Sequence, residues 1–335
     1  MPGTPLPRPW WTRHPPVAGA AVMATGIVSV GLHLTGHEVL SEVVLVVACI
    51  AWLVLAAGLA MDLAVGPARE RGRWATGART ADALTSATAT TVLGTRFSAL
   101  SWHALAEALL ALAAALWAVL LILVVRQRVV RQRAEDRPTS GEVFLPCVAT
   151  EGVALLCATL AGAEATAWLA HTGLVLFWLG LALYALALGR FDARQLVEGA
   201  GDHWIAGGAL ALAALTGAKL IAADSPRLYL WNDDDSDVLR SSTIALIALA
   251  LASYVVLLGA ELLRPRLRYD VRRWATVYPM GLTAAATLVV AAAVGVPWLT
   301  GTGQVLVWVA VAVWIAVVAG AVAATRARIR SRAAR

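Results

Sequence analysis

Charge, lysine and cysteine are all scarce in this chain of 335 residues. Only 14% of the residues are Asp, Glu, Lys or Arg, whereas 60% are hydrophobic, a composition typical of a membrane protein and not of a water-soluble domain. There is one lysine, Lys219, and the three cysteines all lie within apolar runs. Cys147 and Cys157 fall on one predicted helix about 15 Å apart, too far for a disulfide. We therefore interpret both of them, and Cys49, as small core residues.

The sequence also lacks the motifs of common enzymatic chemistry. It has no Walker loop, no Cys-x-x-Cys pair, no HExxH and no nucleophile elbow. ATP-driven work by this chain alone is therefore not expected. The six histidines lie mostly at the ends of apolar runs and are interpreted as interfacial. We predict that the chain is not an enzyme and that it holds no cofactor and no metal ion.

Ten apolar runs follow one another, each about the length of a membrane-spanning helix. A helix rises about 1.5 Å per residue and the apolar core of a bilayer is about 30 Å thick, so roughly 20 residues span it. We therefore predict an all-α integral membrane protein, with a cytoplasmic segment at 1–14, a transmembrane domain at 15–325 and a basic tail at 326–335. The predicted spans are residues 15–35, 42–65, 79–96, 101–125, 142–162, 166–188, 203–222, 239–262, 273–295 and 303–324.

The basic residues sort to one side of this topology. Of the 27 Lys and Arg residues, 23 lie in the N-terminal segment, in alternate loops or in the C-terminal tail. Under the positive-inside rule, these segments and both termini are cytoplasmic. The net charge of +6 is therefore interpreted as loops that face anionic lipid, and no nucleic-acid partner is expected. The remaining basic residues are Arg96, Lys219, Arg227 and Arg240.

The ten spans are of two kinds. Five mid-span tryptophans all lie on even-numbered spans, whereas Pro146 and Pro279 lie on odd-numbered ones, which are also richer in small and polar residues. Proline breaks and polar groups need shelter or water within a bilayer. We therefore predict five helical hairpins whose odd helices form an inner ring around a central pore. Span 79–96 is only moderately apolar and should face protein or water. The alternative is that small residues only permit close helix packing.

Three segments carry a family resemblance. PPVAGAAVMATGIVS (15–29), GDHWIAGGALALAAL (201–215) and WATVYPMGLTAAAT (274–287) resemble the first, seventh and ninth helices of the tellurite-resistance/dicarboxylate transporter family, which includes the plant slow anion channels. The resemblance implies a ten-helix protomer with a five-hairpin pore, assembled as a homotrimer. It also implies passage of anions, including monocarboxylates and dicarboxylates, by channel-like or proton-linked mechanisms.

Two positions are the main candidates along such a pore. Tyr278, followed by Pro279, matches a family position that is usually a pore-occluding phenylalanine, so the resemblance implies an aromatic gate. The alternative is a packed aromatic beside a proline kink. Lys219 lies in the outer third of span seven, where a desolvated ammonium attracts anions. Its alternatives are snorkelling to the outer surface, or an ion pair with Glu107.

Polar residues on other odd spans are further candidates. Glu151 lies near the middle of span five, where an ionisable group is by default a functional hypothesis. It is interpreted either as a proton-coupling or gating group, or as a hydrogen-bonded packing residue, and we expect it to be protonated or paired. Hydroxyl groups either replace part of an anion's hydration shell or bond only to backbone between packed helices. The same two interpretations apply to Met23, Thr25, Ser29, Thr85, Thr88 and Thr91.

The acidic segment 232–237 raises a different class, because intramembrane prenyltransferases hold magnesium and pyrophosphate with aspartate-rich motifs. Only one such cluster is present, on the predicted outer side, so acids at the start of a helix are the preferred interpretation. We therefore predict a plasma-membrane permease for small anions, with C4-dicarboxylates or tellurite-type oxyanions as substrates. A passive anion channel is the alternative mechanism, and an integral-membrane enzyme is the disfavoured alternative class.

Overall fold

The computed structural model of the protein contains one helix for each predicted span. Within the described residues, the helices are α1 (Ala18–Leu34), α2 (Glu38–Val65), α3 (Gly77–Ala99), α4 (His103–Arg131), α5 (Leu145–Glu164), α6 (Ala167–Leu188), α7 (Trp204–Ala223), α8 (Asp233–Leu263), α9 (Trp274–Val294) and α10 (Trp298–Ala333). Short 3-10 helices, Gly141–Phe144 and Val271–Arg273, lead into α5 and α9. The structure describes residues 18–65, 77–131, 141–192, 194–195, 201–224, 230–231, 233–263 and 269–333.

The structure describes most of the C-terminal segment of the chain but not the N-terminal one. The predicted cytoplasmic segment 1–14 lies outside the described residues. At the other end, α10 continues to Ala333, through most of the segment expected to be a separate basic tail. Arg326, Arg328, Arg330 and Arg332 of this segment are therefore carried on a continuous helix.

Within the part of the chain that the structure describes, eight of the ten helices are long and apolar enough to cross a membrane. Helix α1 is apolar but has only 17 residues, and α3 has 23 residues but is much less apolar than its neighbours. From Thr80 to Gly94, the side chains of α3 are almost all buried. Because α3 is enclosed by other helices, it needs no apolar surface for lipid. The expected sheltering of span three is confirmed.

The odd helices form a closed ring. Helix α1 packs against α3, α3 against α5, α5 against α7, α7 against α9, and α9 against α1. Each even helix lies outside, against its own odd partner and the next odd helix, so that α10 reaches back to α1. In α5 and α9, 89% of the most apolar stretch is buried, against 33% or less in the even helices. The predicted inner and outer layers are confirmed, and the five odd helices run parallel because each even helix returns the chain.

Glycines let neighbouring ring helices approach closely. A methyl group on Gly208 of α7 would lie 2.9 Å from Cβ of Pro279 on α9. One on Gly281 of α9 would lie 2.8 Å from Cγ2 of Ile27 on α1. Close packing by small residues is thus a real feature of the ring. Of the two prolines expected within spans, Pro279 is inside α9, whereas Pro146 is in the first turn of α5, where its missing N–H costs nothing.

Three of the mid-span tryptophans form hydrogen bonds between the outer and inner helices. The indole Nε1–H of Trp52 on α2 donates to Thr90 Oγ1 on α3 at 3.0 Å, and that of Trp117 on α4 donates to Thr150 Oγ1 on α5 at 2.8 Å. The third bond closes the ring, because Trp314 on α10 donates to Thr25 on α1. In each case an even helix binds the next odd helix. Each threonine also donates its own hydroxyl proton to a backbone carbonyl of its helix.

Candidate functional site

The odd helices separate near their C-terminal ends and enclose a cavity of about 350 Å³, which we name the vestibule. In the predicted topology these ends lie on the outer side of the membrane. All five odd helices contribute to the vestibule, so it lies on the axis of the ring. Its lining residues fall within Ile27–Leu34 of α1, Val92–Ala99 of α3, Leu155–Ala163 of α5 and Leu215–Ala223 of α7, together with Val289 of α9.

The floor of the vestibule is apolar. On each odd helix, the lining residue nearest the N-terminus has a branched aliphatic side chain, and four of the five are buried. Two of them pack onto glycines of the neighbouring helix, since Val92 meets Gly26 and Ile27 meets Gly281. Such a ring has no group that replaces the hydration shell of an ion. The five residues are Ile27, Val92, Leu155, Leu215 and Val289.

Lys219 lines the vestibule from α7 and is half-buried. Among the described residues, no acidic side chain forms an ion pair with it. The alternative of an ion pair between Lys219 and Glu107 is therefore not realised. Glu107, near the start of α4, instead lies beside Glu164 at the end of α5. A single ammonium thus stands in a cavity whose other walls are mostly apolar.

A second cation, Arg96 of α3, also lines the vestibule. Its side chain is 1% exposed, its Nε–H donates to Ser41 Oγ at 3.1 Å, and its Nη2 forms a 3.2 Å ion pair with Glu38 Oε2. The other carboxylate oxygen of Glu38 lies 2.6 Å from Nδ1 of His33. Sequence reasoning did not single out Arg96 as a site residue. The available signal was its position among the four basic residues outside the cytoplasmic clusters.

The predicted gate residues lie on the other side of the floor. Tyr278 is the fifth residue of α9, which places it about 16 Å before Val289 by the helix rise. Its ring is 4% exposed, and its hydroxyl has no hydrogen-bond partner within the described residues. Pro279 packs against Gly208 of α7. Tyr278 is therefore buried near the N-terminal end of α9, at the opposite end of the ring from the vestibule.

Most of the predicted hydroxyl candidates face neighbouring helices and not the vestibule. Thr25 accepts from Trp314 of α10, and Ser29 exchanges hydrogen bonds with Ser41 of α2. On α3, the side chain of Thr85 lies against Gly19 of α1, and those of Thr88 and Thr91 lie against Gly152 of α5. All three α3 hydroxyls donate to carbonyls of their own helix. Met23 is buried in the main apolar core.

Glu151 is also placed between helices. Its side chain is 1% exposed and lies against Gly180 of α6, where any larger residue would overlap the carboxylate. Neither carboxylate oxygen has a hydrogen-bond partner in the part of the chain that the structure describes. Glu151 is not among the residues that line the vestibule. The structure thus brings Lys219 and Arg96 to one cavity and leaves Glu151 outside it.

Among the described residues, no three His, Cys, Asp or Glu side chains are grouped so as to hold a metal ion. Of the acidic segment 232–237, Asn232 lies outside the description, and Asp233–Asp237 form the start of α8. The preferred interpretation of these residues as acids at a helix N-terminus agrees with this placement.

Comparison with known proteins bears on this ring and its vestibule. The family model described as "Voltage-dependent anion channel" matches residues 13–322, which includes all five odd helices and nine complete helices in total. No curated protein matches the sequence. The match agrees with the resemblance noted for the first, seventh and ninth helices. Since it covers most of the chain, the protein belongs to the voltage-dependent anion channel family.

Proposed function

We propose that this protein is a permease that carries small anions along the axis of the odd-helix ring, with C4-dicarboxylates as the first expected substrates and tellurite-type oxyanions next. Membership of a family of membrane anion channels and transporters supports the general class. The observation that carries the proposal is the vestibule, which all five odd helices line and which contains Lys219. A positive group in a cavity with apolar walls raises the local concentration of anions.

An anion that moves from the vestibule towards the N-terminal ends of the odd helices must cross two constrictions. The first is the aliphatic floor, and the second is the region around Tyr278. We propose that Tyr278 is the gate, and that Pro279 weakens α9 locally because it donates no backbone hydrogen bond. The buried tyrosine hydroxyl without a partner supports a side chain that is not locked in place by hydrogen bonding.

The remaining predicted site residues are proposed to stabilise the ring. Thr25, Ser29 and Thr91 bond to or pack against neighbouring helices, and Glu151 fills the space left by Gly180. None of these contacts points to direct handling of the anion. This leaves Lys219 and Tyr278 as the proposed transport residues among those expected from the sequence.

A passive anion channel is the second candidate, and the family description favours it. A channel and a proton-coupled permease can share one pathway and differ only in whether anion movement is linked to a proton gradient. We further propose that the vestibule opens outward from the plasma membrane, with both termini cytoplasmic, on the basis of the arginine distribution. Assembly as a homotrimer is implied by the family resemblance, and light scattering of the detergent-solubilised protein tests it.

Flux measurements on proteoliposomes test the proposed function. Succinate, malate, tellurite, nitrate and chloride are compared with and without a pH gradient, against protein-free liposomes. A proton-coupled permease accumulates its substrate when the pH gradient is imposed. A passive channel only equilibrates anions, and its flux does not depend on the pH gradient. Absence of flux for every anion, in protein shown to be folded, contradicts both candidates.

A further inference from the structure

Arg96 lines the vestibule, and one of its three side-chain nitrogens is left unpaired by the described residues. Two of its three nitrogens are occupied, Nε by Ser41 and Nη2 by Glu38. Nη1 is buried and has no hydrogen-bond partner among the described residues. Buried charged N–H groups are almost always paired, so an unpaired guanidinium nitrogen beside a cavity indicates a place where a ligand or water accepts.

Glu38 partly neutralises Arg96 but does not enclose it. Its side chain is half exposed, and the same carboxylate is shared with His33. Glu42 also lies close enough to act on Arg96 electrostatically. The guanidinium therefore keeps its geometry through Glu38 and Ser41, while the acidic neighbours reduce the positive potential that a ligand in the vestibule experiences.

Lys219 supplies a second positive group on a different wall. Helices α3 and α7 both flank α5 and do not adjoin each other in the ring, so Arg96 and Lys219 approach the vestibule from separate sides. Three hydroxyl groups line the vestibule. Those of Thr95 and Thr159 donate their protons to carbonyls of their own helices, which leaves the hydroxyl of Ser98 beside the two cations. The donors that remain for a ligand are thus mainly cationic, which favours an anion over a neutral polyol.

We propose that the vestibule is an anion-binding site in which Arg96 Nη1 and Lys219 Nζ hold a small oxyanion of the carboxylate type, and in which Glu38 weakens the binding. This proposal rests on the proposed function, since it places a substrate site at the outer end of the same pathway. It adds two residues, Arg96 and Glu38, with opposite effects on affinity. A small carboxylate suits the site because its charged end meets cations while its hydrocarbon part meets the apolar walls.

Equilibrium binding to the purified full-length protein in detergent tests this site, with succinate as the probe and acetate and chloride for comparison. Glu38→Gln removes the neutralising charge and should tighten succinate binding by about tenfold, the scale of one charge-assisted interaction. Arg96→Gln should weaken it by about tenfold or more. Asp237→Asn is the matched control, since it removes an acidic charge from the exposed start of α8, and it should leave the affinity unchanged.

The opposite signs separate a binding role from a structural one. If the Arg96–Glu38 pair only stabilises the helix ends, Glu38→Gln lowers stability and leaves affinity unchanged or reduced, which overturns the proposal. Should Arg96→Gln fail to fold, Glu38→Gln still decides. Binding that tightens in Glu38→Gln without any flux in liposomes supports the site and contradicts the permease. Flux with no effect of Glu38→Gln on binding supports the permease and contradicts the site.

Discussion

The two halves of the odd-helix ring differ in whether a cavity lies between their helices. Close glycine contacts occur in both halves, as at Gly208 and, farther along, at Gly94, and Tyr278 is buried in the N-terminal half of α9. In the C-terminal halves, the same helices leave the vestibule between them. One parallel ring is therefore closed at one end and open at the other.

The two cations that line the vestibule follow the same division. Lys219 and Arg96 lie in the open half, where water reduces the cost of keeping a cation within the membrane. The floor between the halves consists of five aliphatic side chains. An anion is thus attracted by charge in one half and opposed by a dry, apolar barrier before the other. Attraction of the anion and closure of the pathway are therefore separate properties, which different substitutions should alter independently.

The largest expected effect is on attraction. Lys219→Ala should lower anion flux by about tenfold or more, because two unit charges about 4 Å apart in an effective dielectric of about 20 interact by about 4 kcal/mol, which water in the vestibule reduces. Lys219→Arg keeps the charge and should retain part of the flux. Initial rates in proteoliposomes at equal protein content measure this. Unchanged flux and selectivity in folded Lys219→Ala would assign the lysine to snorkelling.

The next effect concerns the tight packing of the closed half. Gly208→Ala places a methyl group against Pro279 and should destabilise the protein by about 1–3 kcal/mol, the usual cost of overpacking. Gly259→Ala on α8 is the matched control, because no atom lies within 4 Å of its added methyl group. Unfolding in detergent compares the two variants. Equal stability would show that α7 and α9 yield easily at this contact.

Much of the fold was predictable because the signals are regional. Apolar runs and arginine clusters locate the ten helices, most of their ends to within a few residues, although α4, α8 and α10 extend farther than predicted. Tryptophan and proline sort the helices into two layers. The contacts of single side chains were not predictable, since they depend on how each helix is rotated about its axis. Thr85, Thr88 and Thr91 share a face in the sequence, yet only the folded ring shows that Gly19 and Gly152 cover it.

The candidate site shows the same limit. Lys219 was noticed because it is the only lysine, whereas Arg96 was one arginine among many. Its importance depends on Glu38 and Ser41, which are 58 and 55 residues away in the chain. Glu151 was expected from its depth in the membrane, but depth does not tell on which side of α5 it lies. Pairing across helices is therefore the information that composition and spacing lack.

A smaller effect is expected at Tyr278, the proposed gate. Tyr278→Ala should raise basal anion leak by about fivefold, equivalent to roughly 1 kcal/mol off the barrier, because the aliphatic floor still restricts the pathway. Tyr278→Phe should keep the pore closed, since the ring remains. Conductance across planar bilayers, at equal protein density, distinguishes the variants. Alanine that leaks no more than the native protein would show that the ring is only packed.

The smallest effect tests whether the outer layer holds the ring closed. Trp52→Phe removes the hydrogen bond to Thr90 but keeps an aromatic ring, and side-chain hydrogen bonds within membranes are worth about 0.6 kcal/mol on average. Trp178→Phe is the control, because Trp178 makes no side-chain hydrogen bond to the described residues. A double-mutant cycle of Trp52→Phe with Thr90→Val, measured by unfolding in detergent, isolates the pair. A coupling energy near zero would mean that contacts among the odd helices alone stabilise the closed half, and that the hydrogen bonds from the even helices contribute no stability.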